Sequence, residues 1–279
     1  MTDNKSTQWL VVTDLDGTLL NHHDYSTDMA LPAIKKLIDL NIPIIFNTSK
    51  TFSESITIQE KLNINAPFIV ENGSCIYLPK SIFPNTPLDK TAKSRNKYWE
   101  VKLGKSQAEI SNILKIINTP SSYYQLLSAC SIQSAAILTG LNIEQAEQAI
   151  YREYSEPLIW KSGKKELIKF KKELKEHNLN TLQGGRFLHV LGNCDKGIAT
   201  NKLHDFFIAD NTQIKTIILG DSDNDFAMLE KANLSIVVNS PSNHQLQQTF
   251  TPDIFTHQQA PDGWAEGIEL ALVKIKELK

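Results

Sequence analysis

Apolar positions in the first third of the chain fall in short unbroken runs separated by stretches of helical period. Residues 9–12 (Trp9, Leu10, Val11, Val12) are such a run, the pattern of a strand buried on both faces. Ala30, Leu31, Ile34, Leu37 and Ile38 follow at helical spacing, with Pro32 suited to a first helical turn. Residues 43–46 predict a second buried strand. Thr51 and Glu54 have the spacing of a capping box that opens a helix. Residues 68–70 predict a third strand, closed by the turn signal Glu71-Asn72-Gly73. Strand and helix alternating through short connections predict a parallel, doubly wound sheet.

The texture changes near residue 85. Residues 84–94 are polar and read as a linker. Ser106 and Glu109 make a second capping box, ahead of Ile110, Ile113, Leu114 and Ile117 at helical spacing. Residues 132–138 predict a strand, and Asn142 caps a helix through Ile143, Ala146 and Ile150. Residues 157–160 predict a strand, 164–177 a lysine-rich helix, and 181–191 extended chain split by Gly184-Gly185. These elements describe an α+β insert.

The alternating pattern returns near Asp195. Residues 196–207 predict a helix, 216–219 a strand, 226–231 a helix, 235–238 a strand, and 264–278 a closing amphipathic helix. The fold class is therefore α/β: a doubly wound, Rossmann-like core (1–84 and 192–279) with an inserted α+β cap domain (85–191).

Composition narrows the function classes. The chain has 279 residues, 41% apolar, with a formal net charge of -2, which argues against general affinity for nucleic acid or membranes. No apolar run reaches membrane-spanning length, and the polar N-terminus lacks a signal peptide's apolar core. Cys75, Cys130 and Cys194 are widely spaced and suit three reduced thiols. A cytoplasmic protein is expected.

The chemistry lies at the predicted strand ends. Asp14-Leu15-Asp16-Gly17-Thr18 follows the first strand, where open α/β sheets bind ligands. Asp14 and Asp16 project to one side of an extended chain. Two carboxylates this close repel unless a cation or proton lies between them. Gly17 allows the chain to turn, and Thr18 can bond locally there. The second strand ends at Thr48 and Ser49. Lys196 opens a helix, and the strand after it ends at Gly220-Asp221-Ser222-Asp223-Asn224-Asp225. Acids for Mg²⁺, a hydroxyl for a phosphoryl oxygen and a lysine for the remaining charge form a phosphoryl-transfer set. Each signal has a plainer reading when alone: an Asx turn, a helix N-cap, a strand-end hydroxyl, a solvated lysine. A calcium loop is excluded because no Glu stands at the closing position after Asp221.

Together, Asp14-Leu15-Asp16-Gly17-Thr18, Thr48, Lys196 and the run from Gly220 to Asp225 resemble the four ordered motifs of the haloacid dehalogenase-like hydrolase superfamily. The large insert after the second motif matches one subgroup of it. Asn47-Thr48-Ser49-Lys50-Thr51, Val70-Glu71-Asn72-Gly73, Glu156-Pro157-Leu158-Ile159-Trp160 and Gly184-Gly185-Arg186-Phe187-Leu188-His189-Val190 resemble its mannosyl-3-phosphoglycerate phosphatase family.

That resemblance implies a Mg²⁺-dependent phosphatase acting on a small phosphorylated sugar, mannosyl- or glucosyl-3-phosphoglycerate, through an aspartyl-phosphate. Asp14 would be the nucleophile and Asp16 the proton carrier. Asp14, the Asp16 carbonyl and Asp221 would hold Mg²⁺. Thr48 and Lys196 would bond phosphoryl oxygens, with Asn224 and Asp225 orienting Lys196 and water at the metal. A phosphatase of another sugar phosphate, a phosphomutase and a non-catalytic phosphosugar sensor are the alternatives. The intact acidic set argues against the sensor.

The cap is expected to select the substrate. Arg186, after two glycines, could grip a carboxylate with Gly185 allowing close approach, or could be a surface arginine. Ser49 and Lys50 are further candidate contacts, Lys50 standing where many relatives carry Arg. His189 is as well explained as a sheet residue. The lysines at 161, 164, 165, 169, 171, 172 and 175 read as a solvated face. His22 and His23 read as loop residues, since no third metal ligand accompanies them.

Overall fold

The computed structural model of the chain describes residues 6–85, 89–184, 186–207 and 212–277. In chain order the first elements are β1 (Ser6–Thr13), α1 (Leu31–Asp39), β2 (Ile44–Asn47), α2 (Phe52–Lys61), β3 (Phe68–Val70), β4 (Cys75–Pro79), β5 (Ala92–Arg95) and β6 (Tyr98–Lys102). The middle of the chain forms α3 (Gln107–Ile116), β7 (Tyr124–Leu126), α4 (Ile132–Thr139), α5 (Ile143–Ile150), β8 (Ser155–Trp160), α6 (Lys164–Glu176), β9 (Leu179–Gly184) and β10 (Phe187–Gly192). The last part forms α7 (Lys196–Phe207), β11 (Thr212–Gly220), α8 (Phe226–Leu229), β12 (Leu234–Asn239), α9 (His244–Thr249), β13 (Ile254–Gln259) and α10 (Asp262–Glu277).

Among the described residues the strands make a nine-stranded sheet, β13-β12-β11-β1-β2-β3-β4-β6-β5, and a four-stranded antiparallel sheet, β7-β8-β10-β9. From β13 to β3 the large sheet is parallel. β4, β6 and β5 extend it antiparallel. The expected parallel, doubly wound arrangement thus forms from β13 to β3, and an antiparallel edge is added to it. β1 lies between β2 and β11, with Val12 in register with Ile45 on one side and Ile218 on the other. The strand order departs from β1 in both directions, which opens a crevice at the carboxyl ends.

The apolar runs are buried because both faces of these strands are covered; Val11, Val12, Ile45, Phe46, Ile217 and Ile218 have at most 1% exposure. α1 turns Ala33, Ile34 and Leu37 inward. Trp264 of α10 is fully buried, and its Nε1 donates to Thr13 Oγ1 at 3.0 Å, fixing the end of β1 beside Asp14. Both expected capping boxes form, at Thr51 with Glu54 and at Ser106 with Glu109. Each cap contributes about 1 kcal/mol to its helix.

The middle segment has apolar clusters of its own, centred on Ile110, Leu158, Phe170, Leu174 and Val190, and on Leu127, Ala135 and Ala146. Two expectations change here. Residues 132–138 are helical, not a strand. Ser131 Oγ accepts the Ser134 N–H at 3.2 Å, and Gly140 at φ +74° closes the helix, so local caps decide what a short apolar run leaves ambiguous. Residues 92–102, expected inside the insert, are β5 and β6 of the large sheet. We therefore propose that the cap begins beyond Lys102 and not at residue 85. Among the described residues, no helix is long and apolar enough to cross a membrane.

Candidate active site

The parallel strands deliver their polar ends to one edge. Asp14 follows β1, residues 48–50 follow β2, Glu71 and Asn72 follow β3, Asp221 follows β11, and Ser240 follows β12. α7 starts with Lys196 beside them. Its seat is shaped by the left-handed turn at Glu71, Asn72 and Gly73, with φ of +49°, +58° and +88°. A Cβ at position 73 would lie 2.1 Å from the Asp195 carbonyl, so this approach to the start of α7 requires glycine. Asn47 Nδ2 donates to the Lys196 carbonyl at 2.9 Å and ties β2 to the same turn.

Lys196 is 1% exposed, and its Nζ stands 2.6 Å from Asp14 Oδ1 and 2.6 Å from Asp225 Oδ1. Burial opposes its charge, but the two carboxylates outweigh it and raise its pKa. Asp225 Oδ2 accepts the N–H groups of Asp221 and Ser222 at 3.0 and 3.1 Å. Both oxygens of Asp225 are therefore engaged in holding the lysine and the Asp221 turn. Burial pushes Asp14 up, Lys196 pulls it down, and Asp225 and Asp16 push it up again, to about 7.

Asp221 is cradled by hydroxyls. Thr18 Oγ1 donates to its Oδ1 at 3.0 Å and Ser240 Oγ to its Oδ2 at 2.7 Å. Thr18 thus reaches across the sheet instead of bonding only within its own turn. Gly17, at φ +77°, lies so close that a Cβ there would sit 2.7 Å from Asp221 Oδ2. Burial, and then Asp225 and Asp14, raise the pKa of Asp221 well above the carboxylate range. Oxygens of Asp14, Asp221 and Asp225 lie within 4.8 Å of one another. One ammonium cannot balance three buried carboxylates, so the donor set fits a divalent cation with oxygen ligands.

Asp16 stands at the mouth. Its Oδ1 is 2.8 Å from Lys50 Nζ, which is also 3.7 Å from Glu54 and lies over the Tyr25 ring. Lys50 is therefore partnered and not a solvated surface lysine. Thr48 is fully buried, and its Oγ1 accepts the Lys50 N–H at 3.1 Å.

These groups border a cavity of about 790 Å³ between core and cap, within the usual size of small-ligand sites. Asp14, Asp16, Ser49, Lys50, Asp221 and Asn224 line its core side. Thr48, Lys196 and Asp225 are buried and are not among the residues lining it. Arg152, Gln183, Arg186 and His189 line the cap side. Arg186 is on the β9–β10 turn, exposed, with Nη1 donating to the Leu138 carbonyl at 3.1 Å. Gly185 lies outside the described residues. Asn224 Nδ2 donates to Asn72 Oδ1 at 3.4 Å. His22 is exposed at the rim.

In sequence, Glu71 reads only as part of a turn signal and a family motif, and Arg152 and Ser240 are not singled out. Glu71, 1% exposed, accepts the N–H groups of Glu153 and Tyr154 at 2.9 and 3.1 Å and the Ser155 hydroxyl at 2.6 Å, joining β3 to the entry of β8. Arg152 donates to the Ser49 carbonyl at 3.0 Å. Ser240 had a usable signal, a hydroxyl just past a predicted parallel strand. Arg152 had none, because its core partners, the Ser49 carbonyl and Glu71, are far away in sequence and meet it only once the cap is seated.

The model for haloacid dehalogenase-like hydrolases matches residues 11–257. The glucosyl-3-phosphoglycerate/mannosyl-3-phosphoglycerate phosphatase of Methanococcoides burtonii is 32% identical over 263 residues, covering 93% of this chain and 95% of its own. That of Persephonella marina is 32% identical over 271 residues, covering 96% and 98%. In fold, a phosphatase of the haloalkanoate superfamily from Bacteroides thetaiotaomicron superposes with a TM-score of 0.69 at 14% identity, covering 96% of each chain. The sucrose-phosphatase of Synechocystis does so at 0.61 and 15%, covering 96% and 98%. With the ordered strand-end motifs, a buried carboxylate–lysine cluster and a match over most of its length, the chain belongs to the haloacid dehalogenase-like hydrolases.

Proposed function

We propose that this enzyme hydrolyses a glycosyl-3-phosphoglycerate, mannosyl or glucosyl, to glycosylglycerate and phosphate. It is a phosphoric monoester hydrolase of its family. The observation that carries the reading is Asp14: a buried carboxylate held by Lys196, bordering a cavity that the cap completes.

In this reading Asp14 attacks phosphorus and the ester P–O bond breaks. Asp16, at the cavity mouth, gives its proton to the departing glycerate oxygen. Water then attacks the aspartyl-phosphate, Asp16 takes its proton, and phosphate leaves with Asp14 restored. Lys196 keeps Asp14 ionised and aligned. Asp225 holds Lys196 and the turn of Asp221, and Asn224 braces that turn against Asn72. The hydroxyl of Ser49, which lines the cavity, serves a phosphoryl oxygen, and Thr48 behind it holds the Lys50 N–H and the turn that carries Ser49. Asp14, Asp221 and the Asp16 carbonyl would hold Mg²⁺, which supplies positive charge against the phosphoryl group. Lys50 holds Asp16 at the mouth, and Arg186 serves as a substrate contact at the rim.

The test is phosphate release from a panel of phosphorylated sugars and glycosyl-phosphoglycerates, with and without Mg²⁺. The expected result is a preference for the phosphoglycerates that requires Mg²⁺. A preference for a sugar phosphate without a carboxylate would overturn the substrate, and no release from any member would overturn the phosphatase.

A further inference from the structure

The cap side of the cavity carries a cation whose charge is only loosely matched. Arg152 lies between α5 and β8, at the seam of cap and core, with its side chain 9% exposed. Its Nη1 donates to two neutral acceptors, the Ser49 carbonyl at 3.0 Å and Ser155 Oγ at 3.1 Å. Its Nε is buried without a hydrogen-bond partner. The nearest carboxylate, Glu71, is 3.9 Å away and already accepts three other hydrogen bonds.

His189 of β10 lines the same cavity, is 6% exposed, and has a buried Nδ1 without a partner. Burial, and then Arg152, keep its imidazole neutral. Both residues line the cavity, so a ligand there meets a guanidinium that no carboxylate bonds closely, beside a neutral ring, and an anionic group would offset the cost of burying that charge. Lys50 and Lys196 are committed to carboxylates. Arg186 is exposed and spends one nitrogen on Leu138.

We propose that Arg152, with His189, binds the carboxylate of the substrate's glycerate group and thereby sets specificity. This assignment rests on the phosphoglycerate reading above. A planar guanidinium fork matches a carboxylate, and the core face of the cavity already provides for the phosphoryl group. Because Arg152 also bonds the Ser49 carbonyl beside Thr48, carboxylate binding would register the ester against the nucleophile.

The experiment compares kcat/KM for glycosyl-3-phosphoglycerate and for a sugar phosphate lacking a carboxylate, at one pH and Mg²⁺ concentration. Wild type, Arg152→Gln, Arg152→Lys and Arg186→Ala are measured. Arg152→Gln is expected to lower the ratio of the two values roughly 10–150-fold, mainly through KM of the phosphoglycerate. Arg152→Lys should fall between, since it keeps charge and loses the fork. Arg186→Ala should change the ratio less than Arg152→Gln. Thermal melting checks each fold, and Arg152→Lys carries the comparison if Arg152→Gln does not fold. Equal losses on both substrates, or a larger effect of Arg186→Ala on the ratio, would overturn the role of Arg152 alone. A wild type with no preference for the phosphoglycerate would overturn the substrate reading and this assignment together.

Discussion

Lys196 and Asp14 are 182 residues apart in sequence and form a buried ion pair at the cavity wall, Nζ to Oδ1 at 2.6 Å. The lysine shares its charge with Asp225 at the same distance. Removing either member of a buried pair strands the other, and typically costs about 3–5 kcal/mol. Lys196→Met should therefore destabilise the protein by about that amount in urea unfolding. The double variant Lys196→Met/Asp225→Asn should be less destabilised than the sum of its parts. Strict additivity would mean that the two groups are not coupled.

Asp14→Asn keeps the volume of the side chain and removes the proposed nucleophile. The folded variant should show no measurable phosphate release. Activity near that of the wild type would remove Asp14 from its role.

Asp16→Asn separates proton transfer from metal binding. Its backbone carbonyl is unchanged, so the Mg²⁺ concentration for half-activation should stay near the wild-type value. Turnover should drop by ~10²–10⁴-fold. A large rise in the Mg²⁺ requirement with little loss of turnover would reverse the assignment.

Gly17→Ala tests the Asp221 cradle. The new Cβ would sit 2.7 Å from Asp221 Oδ2 on a residue with φ +77°. Either the carboxylate or the turn must shift. Half-activation should require more Mg²⁺, and stability should fall by about 1–2 kcal/mol from the left-handed conformation. An unchanged Mg²⁺ titration would separate Gly17 from the metal site.

His189 predicts a pH dependence of stability. Its folded pKa is lowered to about 3, from the usual 6.5, by burial and then by Arg152. Between those values the unfolded chain binds the proton and the folded chain does not, so stability falls as pH falls below 6.5. Above that pH both forms are neutral and the dependence vanishes. The slope approaches ~1.4 kcal/mol per pH unit. Urea unfolding of wild type and His189→Gln at several pH values isolates it: the wild type should lose stability relative to the variant on acidification. Parallel profiles would show that the ring is protonated in the folded state.

Much of this protein was legible from local pattern. The unbroken apolar runs at 9–12, 43–46 and 217–219 marked buried strands, because a strand covered on both faces has no polar side. The capping boxes at Thr51 and Ser106 marked helix starts, since both halves of that motif lie within four residues. The strand-end acids followed from the same frame: a parallel sheet carries every carboxyl end to one edge. Residues 132–138 escaped because so short a run of mixed apolar sequence satisfies either period, and the decisive caps at Ser131 and Gly140 lie just outside it.

What only the tertiary structure decided is who meets whom across large separations. The sequence placed Asp225 near Lys196, but not that both its oxygens are used in holding the lysine and the Asp221 turn. It marked Thr18 as a turn residue, whereas the fold delivers its hydroxyl to Asp221. It assigned residues 92–102 to an insert, yet backbone pairing with β4 adds them to the core sheet. Arg152 carried no local signature at all. Its buried, loosely neutralised charge exists only because the seated cap removes it from water while Glu71 and Ser49 hold the seam.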